Sequence, residues 1–291
     1  TANNRIVSDH RAGNAYLCTD CHPPYRAKRI ETLLEALPSA TLEDMKVIHG
    51  DVQSLTAPVF QNMLRKITVS DSVTVDMKQL IINWDGKMDK NSISASAYSL
   101  FRWQLAALLA ERSGLVKANQ HALLQLPPAV VPVHQLWWAL PQFVRANDIS
   151  LLHGWTWEQA FEEALKRTAT LFNGKAWGSI HQAALKHPLG TLSADASALL
   201  DPPGLFVGGD NDTVLANGCI PAFGLTAAYG AVARYVFDVG NWDACQWIVI
   251  DGSSGNHGDA HHMDQHALWA ECEMVPMLYN WKLIESKGQC T

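Results

Sequence analysis

Apolar positions recur every three or four residues through the first two-thirds of the chain and give way to short extended runs in the last third. Ile30, Leu33, Leu34 and Leu37 predict a helix over 26–36, closed by Pro38. Thr41-Leu42-Glu43-Asp44 opens a second helix in the manner of a capping box, with the shorter Asp44 in place of glutamate, running to about 51. Val59, Met63 and Ile67 form one stripe over 58–67. A further helix is expected over 76–84, ending at the Asp85-Gly86 turn pair. The longest helical run is 92–113, stopped by Gly114. Another lies within 150–172, where Trp157, Phe161, Ala164 and Leu165 share a face.

Proline and glycine become frequent after that point. Asp201-Pro202-Pro203-Gly204 and Gly208-Gly209-Asp210-Asn211-Asp212 carry turn chemistry. Residues 231–239 and the β-branched run 246–250 read as strands, and Thr1–Val7 as an extended first strand. There is no tandem repeat and no low-complexity linker. The expected class is α+β, in three stretches: strand and loop over 1–25, mainly helix over 26–175, and a strand- and loop-rich part over 176–291.

Composition narrows the function. With 291 residues, 48% of them hydrophobic, the chain can bury a sizeable core and is not a disordered segment. A net charge of -6 with 17% charged residues argues against nucleic-acid or membrane-surface binding. No run approaches the ~18 apolar residues of a membrane span. No leader is visible, and the absence of an initiator Met makes a piece of a longer protein the expectation. Six cysteines are compatible with an oxidising compartment but leave about 15 possible pairings open.

Two polar constellations offer chemistry of their own. Cys18-Thr19-Asp20-Cys21-His22 matches the attachment pattern of a c-type haem; a loop with a local disulfide or free thiols is the plainer reading. Structural zinc there would lack a second pair of cysteines. His257, His261, His262 and His266, with Asp259 and Asp264, could ligate a transition metal or form a hydrogen-bonded loop ahead of the amphipathic segment 265–272. His262 and His266 would share a face if that stretch were helical. Gly252-Ser253-Ser254-Gly255 has the wrong spacing for a nucleophile elbow, and no phosphate-binding glycine loop is present. Asn3 and Arg26 alone read as a turn residue and a solvated charge.

Their neighbours change that weighting. Thr1-Ala2-Asn3-Asn4-Arg5-Ile6, Pro24-Tyr25-Arg26-Ala27-Lys28-Arg29-Ile30, Asp51-Val52-Gln53-Ser54 and Trp84-Asp85-Gly86 recur in one order with Trp177-Gly178-Ser179-Ile180-His181, Gly208-Gly209-Asp210-Asn211-Asp212-Thr213-Val214 and Ser254-Gly255-Asn256. His261-His262-Met263-Asp264-Gln265 and Trp269 complete the series. In these blocks the chain resembles the C-terminal half of the β chain of the penicillin acylase family of N-terminal nucleophile hydrolases. The resemblance implies part of an α/β/β/α sandwich with a large helical subdomain. It implies amide hydrolysis by an N-terminal serine whose own α-amine is the base, with no cofactor and no metal. Asn3 would be the oxyanion-hole donor and Arg26 the organiser of the active-site edge.

The implied partners are an upstream β-chain segment bearing the serine, an α chain and a small acyl amide substrate. The implied compartment is the periplasm. No serine of that kind opens this chain, so the chain alone is expected to be inactive. His262 stands where the family often has tyrosine, and the Cys18–Cys21 pair matches no family feature. Rival readings are Thr1 as its own nucleophile, a non-catalytic binding or structural domain, and a haem or metal module.

Overall fold

A computed structural model describes residues 2–7, 21–118 and 130–287. Twelve helices lie among them, in chain order α1 (Tyr25–Glu35), α2 (Leu42–His49), α3 (Ala57–Lys66), α4 (Ser72–Ile82), α5 (Ile93–Arg112), α6 (Leu115–Ala118), α7 (Val130–Ala146), α8 (Trp157–Leu171), α9 (Trp177–Ile180), α10 (Ala194–Leu200), α11 (His266–Ala270) and α12 (Trp281–Lys287). The strands are short: β1 (Gln182–Ala183), β2 (Leu205–Phe206), β3 (Gly218–Cys219), β4 (Ala227–Tyr229), β5 (Ala233–Val236), β6 (Gln246–Val249) and β7 (Val275–Pro276). This is an α+β chain, as the patterning anticipates.

Local chemistry sets many helix ends. The Thr41–Asp44 capping box closes reciprocally, and Thr156–Gln159 does the same for α8. Ser92 accepts from the Ala95 N–H at 3.1 Å to start α5. Asp71 accepts from the Thr74 N–H at 2.9 Å, so α4 begins at Ser72, four residues before the apolar pattern indicates. The sequence pattern gives no warning of α7, which runs through Pro141.

The helical core is aromatic. Phe60, Tyr98, Phe101, Trp137, Trp157 and Phe161 are buried where α3, α4, α5, α7 and α8 meet, with Phe101 and Phe161 edge-to-face at 5.2 Å. A second, smaller cluster gathers Ala183, Val207, Ala227, Ile248, Trp269 and Ala270. Two sheets lie on that side: one in the order β2-β1-β4-β3, parallel only between β1 and β4, and an antiparallel one in the order β5-β6-β7. Tyr235 pairs with Trp247 in the register of the latter.

The loop 208–217 fastens the two parts together. Its Gly209 N–H donates to the Met88 carbonyl at 2.8 Å, and its Leu215 N–H to the Asp51 carbonyl at 2.9 Å. Asp212 accepts from Arg102 Nη1, in mid-α5, at 2.5 Å, with both side chains buried. Gly209 has φ +79°, and a Cβ there would overlap the Leu215 carbonyl oxygen, so only glycine fits.

The expected strand over Thr1–Val7 is corrected. Thr1 lies outside the described residues, and 2–7 contribute a single parallel bridge, Asn4 to His22. Asn3 adopts φ 60°, which no strand residue does and which breaks the ladder at once. The apolar stripe of α1 is also less buried than its spacing implies, since Tyr25 is the only buried residue of that helix.

Candidate active site

A cavity of about 670 Å³ opens between the N-terminal segment, the start of α1, α7 and the loops around β3 to β5. Asn3 and Arg26 stand together on its wall. Ala2 N–H donates to Asn4 Oδ1 at 3.1 Å, and the Asn3 carbonyl accepts from the His22 N–H at 2.9 Å. These bonds turn the chain sharply at Asn3, whose left-handed backbone asparagine tolerates better than most residues.

Arg26 lies in the first turn of α1. Its Nη2 donates to the Ala2 carbonyl and to Asn3 Oδ1, both at 2.8 Å. A guanidinium can only donate, so it fixes which end of the amide faces it. Oδ1 faces Arg26, and Nδ2 is left to donate into the cavity that Asn3 lines. Burial lowers the Arg26 pKa, while Tyr229 and Asp212 pull it up; the group stays cationic.

The facing wall is built from the 208–217 loop. Asn211 Nδ2 donates to the Cys219 carbonyl at 2.8 Å and to the Tyr229 hydroxyl at 3.0 Å, while its Oδ1 accepts from the Cys219 N–H at 3.0 Å. Burial, ahead of nearby negative groups, raises the Tyr229 pKa well above its ordinary value, so the phenol keeps its proton. Beneath it, burial and then Asp212 raise the Asp210 pKa. Asp210 Oδ1 accepts the N–H groups of Asp212 and Thr213, while Oδ2 is buried without a partner.

Histidines complete the lining. The His22 ring sits edge-on to Trp138 at 4.8 Å, and His134 Nε2 accepts from Trp138 Nε1 at 3.3 Å. Burial lowers both pKa values, helped by Arg26 at His22 and by His22 at His134. Both rings are therefore neutral at neutral pH. Arg234, within β5, stands at another part of the lining, buried against Trp269.

The other sequence candidates fall elsewhere. Cys18 of the haem-like pattern lies outside the described residues, and so does Cys290. Cys219, Cys245 and Cys272 are buried as free thiols. The C-terminal histidines are spent on local bonds rather than on one centre. His261 pairs with Asp264 at 2.8 Å, His262 lies 3.2 Å from the Ser254 carbonyl, and His266 lies between the Ile250 and Pro203 carbonyls. His262 also precedes α11, so it shares no helical face with His266. Among the described residues no three His, Cys, Asp or Glu side chains gather in metal-binding geometry.

Asn211, Tyr229 and Arg234 are site residues that sequence reasoning passed over. The signal for Asn211 was present in the polar Gly208–Asp212 run, which turn chemistry alone explains; nothing local marks Tyr229 or Arg234.

The penicillin amidase family model matches residues 1–286. The chain is also 44% identical over 289 residues to the penicillin acylase 2 proenzyme of Pseudomonas sp. (strain SE83). That match covers 99% of this chain and 37% of the relative, so the chain spans little more than a third of that protein's length. The motif order, the paired Asn3 and Arg26 and these matches agree: the chain belongs to the penicillin amidase family.

Proposed function

We propose that this chain supplies the oxyanion-binding side of a penicillin acylase-type amide hydrolase. Asn3 Nδ2 donates to the oxyanion of the tetrahedral intermediate, and Arg26 holds the amide in the orientation that makes this possible. The single observation that carries the reading is the 2.8 Å bond from Arg26 Nη2 to Asn3 Oδ1 at the cavity wall. A preorganised neutral donor is what a developing oxyanion requires, because no dipole has to reorient during the reaction.

The nucleophile is the N-terminal serine of an upstream segment, with its own amine as base, and an α chain completes the assembly. No serine, threonine or cysteine stands among the described residues that line the cavity, which agrees with that division of labour. The substrate is a small acyl amide, and the compartment is the periplasm, both on the family resemblance.

The test is a hydrolysis assay with a chromogenic acyl anilide. The 291-residue chain alone gives no turnover. Together with a serine-bearing segment and α chain it gives turnover, and Asn3→Ala in that assembly lowers kcat by ~10²–10³. Turnover by the chain alone would remove the separate nucleophile, and an unchanged kcat in Asn3→Ala would remove the donor assignment. Intact mass of the native sample, with each chain counted, shows whether a serine-led partner is present.

A further inference from the structure

Asparagine is followed by glycine twice in the sequence, at Asn173-Gly174 and Asn217-Gly218. Asparagine is among the thermolabile residues, and a following glycine makes it more so for a steric reason. Glycine has no Cβ, so its backbone nitrogen can approach the side-chain carbonyl carbon of the residue before it. The fold treats the two pairs in opposite ways.

Asn217 is 2% exposed. Its Nδ2 donates to the Gly208 carbonyl at 3.1 Å, its N–H donates to the Leu215 carbonyl at 3.0 Å, and its own carbonyl lies 2.7 Å from His181 Nε2. Gly218 is fixed in β3 beneath Tyr229, where a Cβ would overlap the phenol ring. The amide and the glycine nitrogen cannot close on each other without breaking these contacts.

Asn173 lies in the connection between α8 and α9, and it is exposed together with Gly174 and Lys175. Gly174 has φ +72°, and a Cβ there would meet nothing within 4 Å. Asn173 Oδ1 accepts from the Lys175 N–H at 3.1 Å, and no described residue accepts from its Nδ2. The Lys175 N–H polarises the amide and is aimed at the oxygen that becomes negative when a nucleophile adds, as a backbone donor is in an oxyanion hole. The leaving nitrogen is unrestrained.

We propose that Asn173 is a site of spontaneous covalent modification, converting to isoaspartate and aspartate through a cyclic imide. The Gly174 nitrogen gives its proton to hydroxide and attacks Asn173 Cγ. The new N–Cγ bond forms, the Cγ–Nδ2 bond breaks, and Nδ2 takes a proton from water and leaves as ammonia. Water then opens the ring. Addition at the former backbone carbonyl breaks its bond to the Gly174 nitrogen and gives isoaspartate; addition at Cγ gives aspartate. Nothing is oxidised or reduced, and water is the only co-reactant consumed. Each product carries a negative charge where the amide carried none. Asn173 is not among the residues lining the cavity, so the modification stands apart from the hydrolase reading.

The test holds the full chain folded at mildly alkaline pH and maps its peptides by mass spectrometry at intervals, with fragmentation that separates isoaspartate from aspartate. The same chain in guanidinium chloride is the reference, and there both Asn-Gly pairs react at comparable rates. In the folded chain Asn173 keeps its reference rate and yields isoaspartate. Asn217 slows at least about a hundredfold, the factor for a local opening cost of about 2.7 kcal/mol. Protection of Asn173 to the same degree as Asn217 would overturn the proposal. So would aspartate at 173 without isoaspartate, since direct hydrolysis of the amide gives only aspartate.

Discussion

Replacing Arg102 by methionine should be among the most damaging single changes in this chain. Arg102 sits in the middle of α5 with its side chain 0% exposed, and its partner Asp212 is 1% exposed. The guanidinium donates to Asp212 Oδ2, to the Thr56 hydroxyl at 3.3 Å and to the Trp137 carbonyl at 2.7 Å, and it lies 4.2 Å from the Trp137 ring centroid. Methionine fills much of the volume but leaves Asp212 buried without a cation, next to Asp210, which is already held short of ready ionisation. Removing one partner of a buried pair typically costs ~3–5 kcal/mol. Against a total stability of ~5–15 kcal/mol, that is a large fraction. Urea unfolding near pH 7, followed by tryptophan fluorescence, reads the loss directly. The double variant Arg102→Met/Asp212→Asn removes the stranded charge and should recover ~1–3 kcal/mol of it, as expected for directly coupled residues. A single variant within ~1 kcal/mol of the parent, or a double variant that loses the sum of both changes, would refute the argument that charge desolvation dominates here.

Three further outcomes follow from the geometry. Gly209→Ala should cost ~3 kcal/mol or more, because strain at φ +79° adds to overlap with the Leu215 carbonyl, whereas Gly114→Ala at φ +73° meets nothing and should cost ~1 kcal/mol; equal shifts in thermal unfolding would contradict this. Thr156→Ala removes the capping box of α8 and should cost ~1 kcal/mol, with Thr156→Ser close to the parent in the same urea assay. Burial holds His22, His49, His134 and His181 below their ordinary pKa of 6.5, so the unfolded chain binds more protons at mildly acidic pH. Their contribution to stability is therefore complete above about 6.5 and is lost as pH falls through the folded values. Asp210, raised by burial, and His261, raised by its bond to Asp264, work in the opposite sense, but four groups oppose two, and a urea midpoint that rises between pH 7 and pH 5 would refute the balance.

The helices that were legible carry both a stripe and a stop. Ser92 to Gly114 predicts α5 almost to the residue because a cap and a left-handed glycine bracket it. The α7 helix was hidden by its prolines, although Val133, Leu136, Trp137 and Leu140 are buried at helical spacing. Tertiary packing on α3, α5 and the turn at 221–223 outweighs the cost of Pro141 there. The strand β5 is visible as a loosely alternating run and β6 as a β-branched one, but β1 to β3 have two residues each, too few for any alternation to register. The site shows the same division. Asn3 and Arg26 lie 23 positions apart, and only their neighbouring motifs single them out. Arg102, 110 positions from Asp212, carries no local mark, and Asp212 shows only as part of a turn-like run, because what distinguishes the pair is burial.

Asn3 answers to two demands at once. Its backbone at φ 60° restricts the position to the few residues that turn left readily, asparagine and glycine first among them. In the role proposed for it, its side chain offers Arg26 an acceptor and the cavity a donor, which glycine does not do. Glutamine has the right amide but resists the turn; aspartate tolerates the turn but has no donor. A saturation library at this position should therefore return asparagine through two filters that share no physics, and relaxing either one by redesign elsewhere would still leave the other in force.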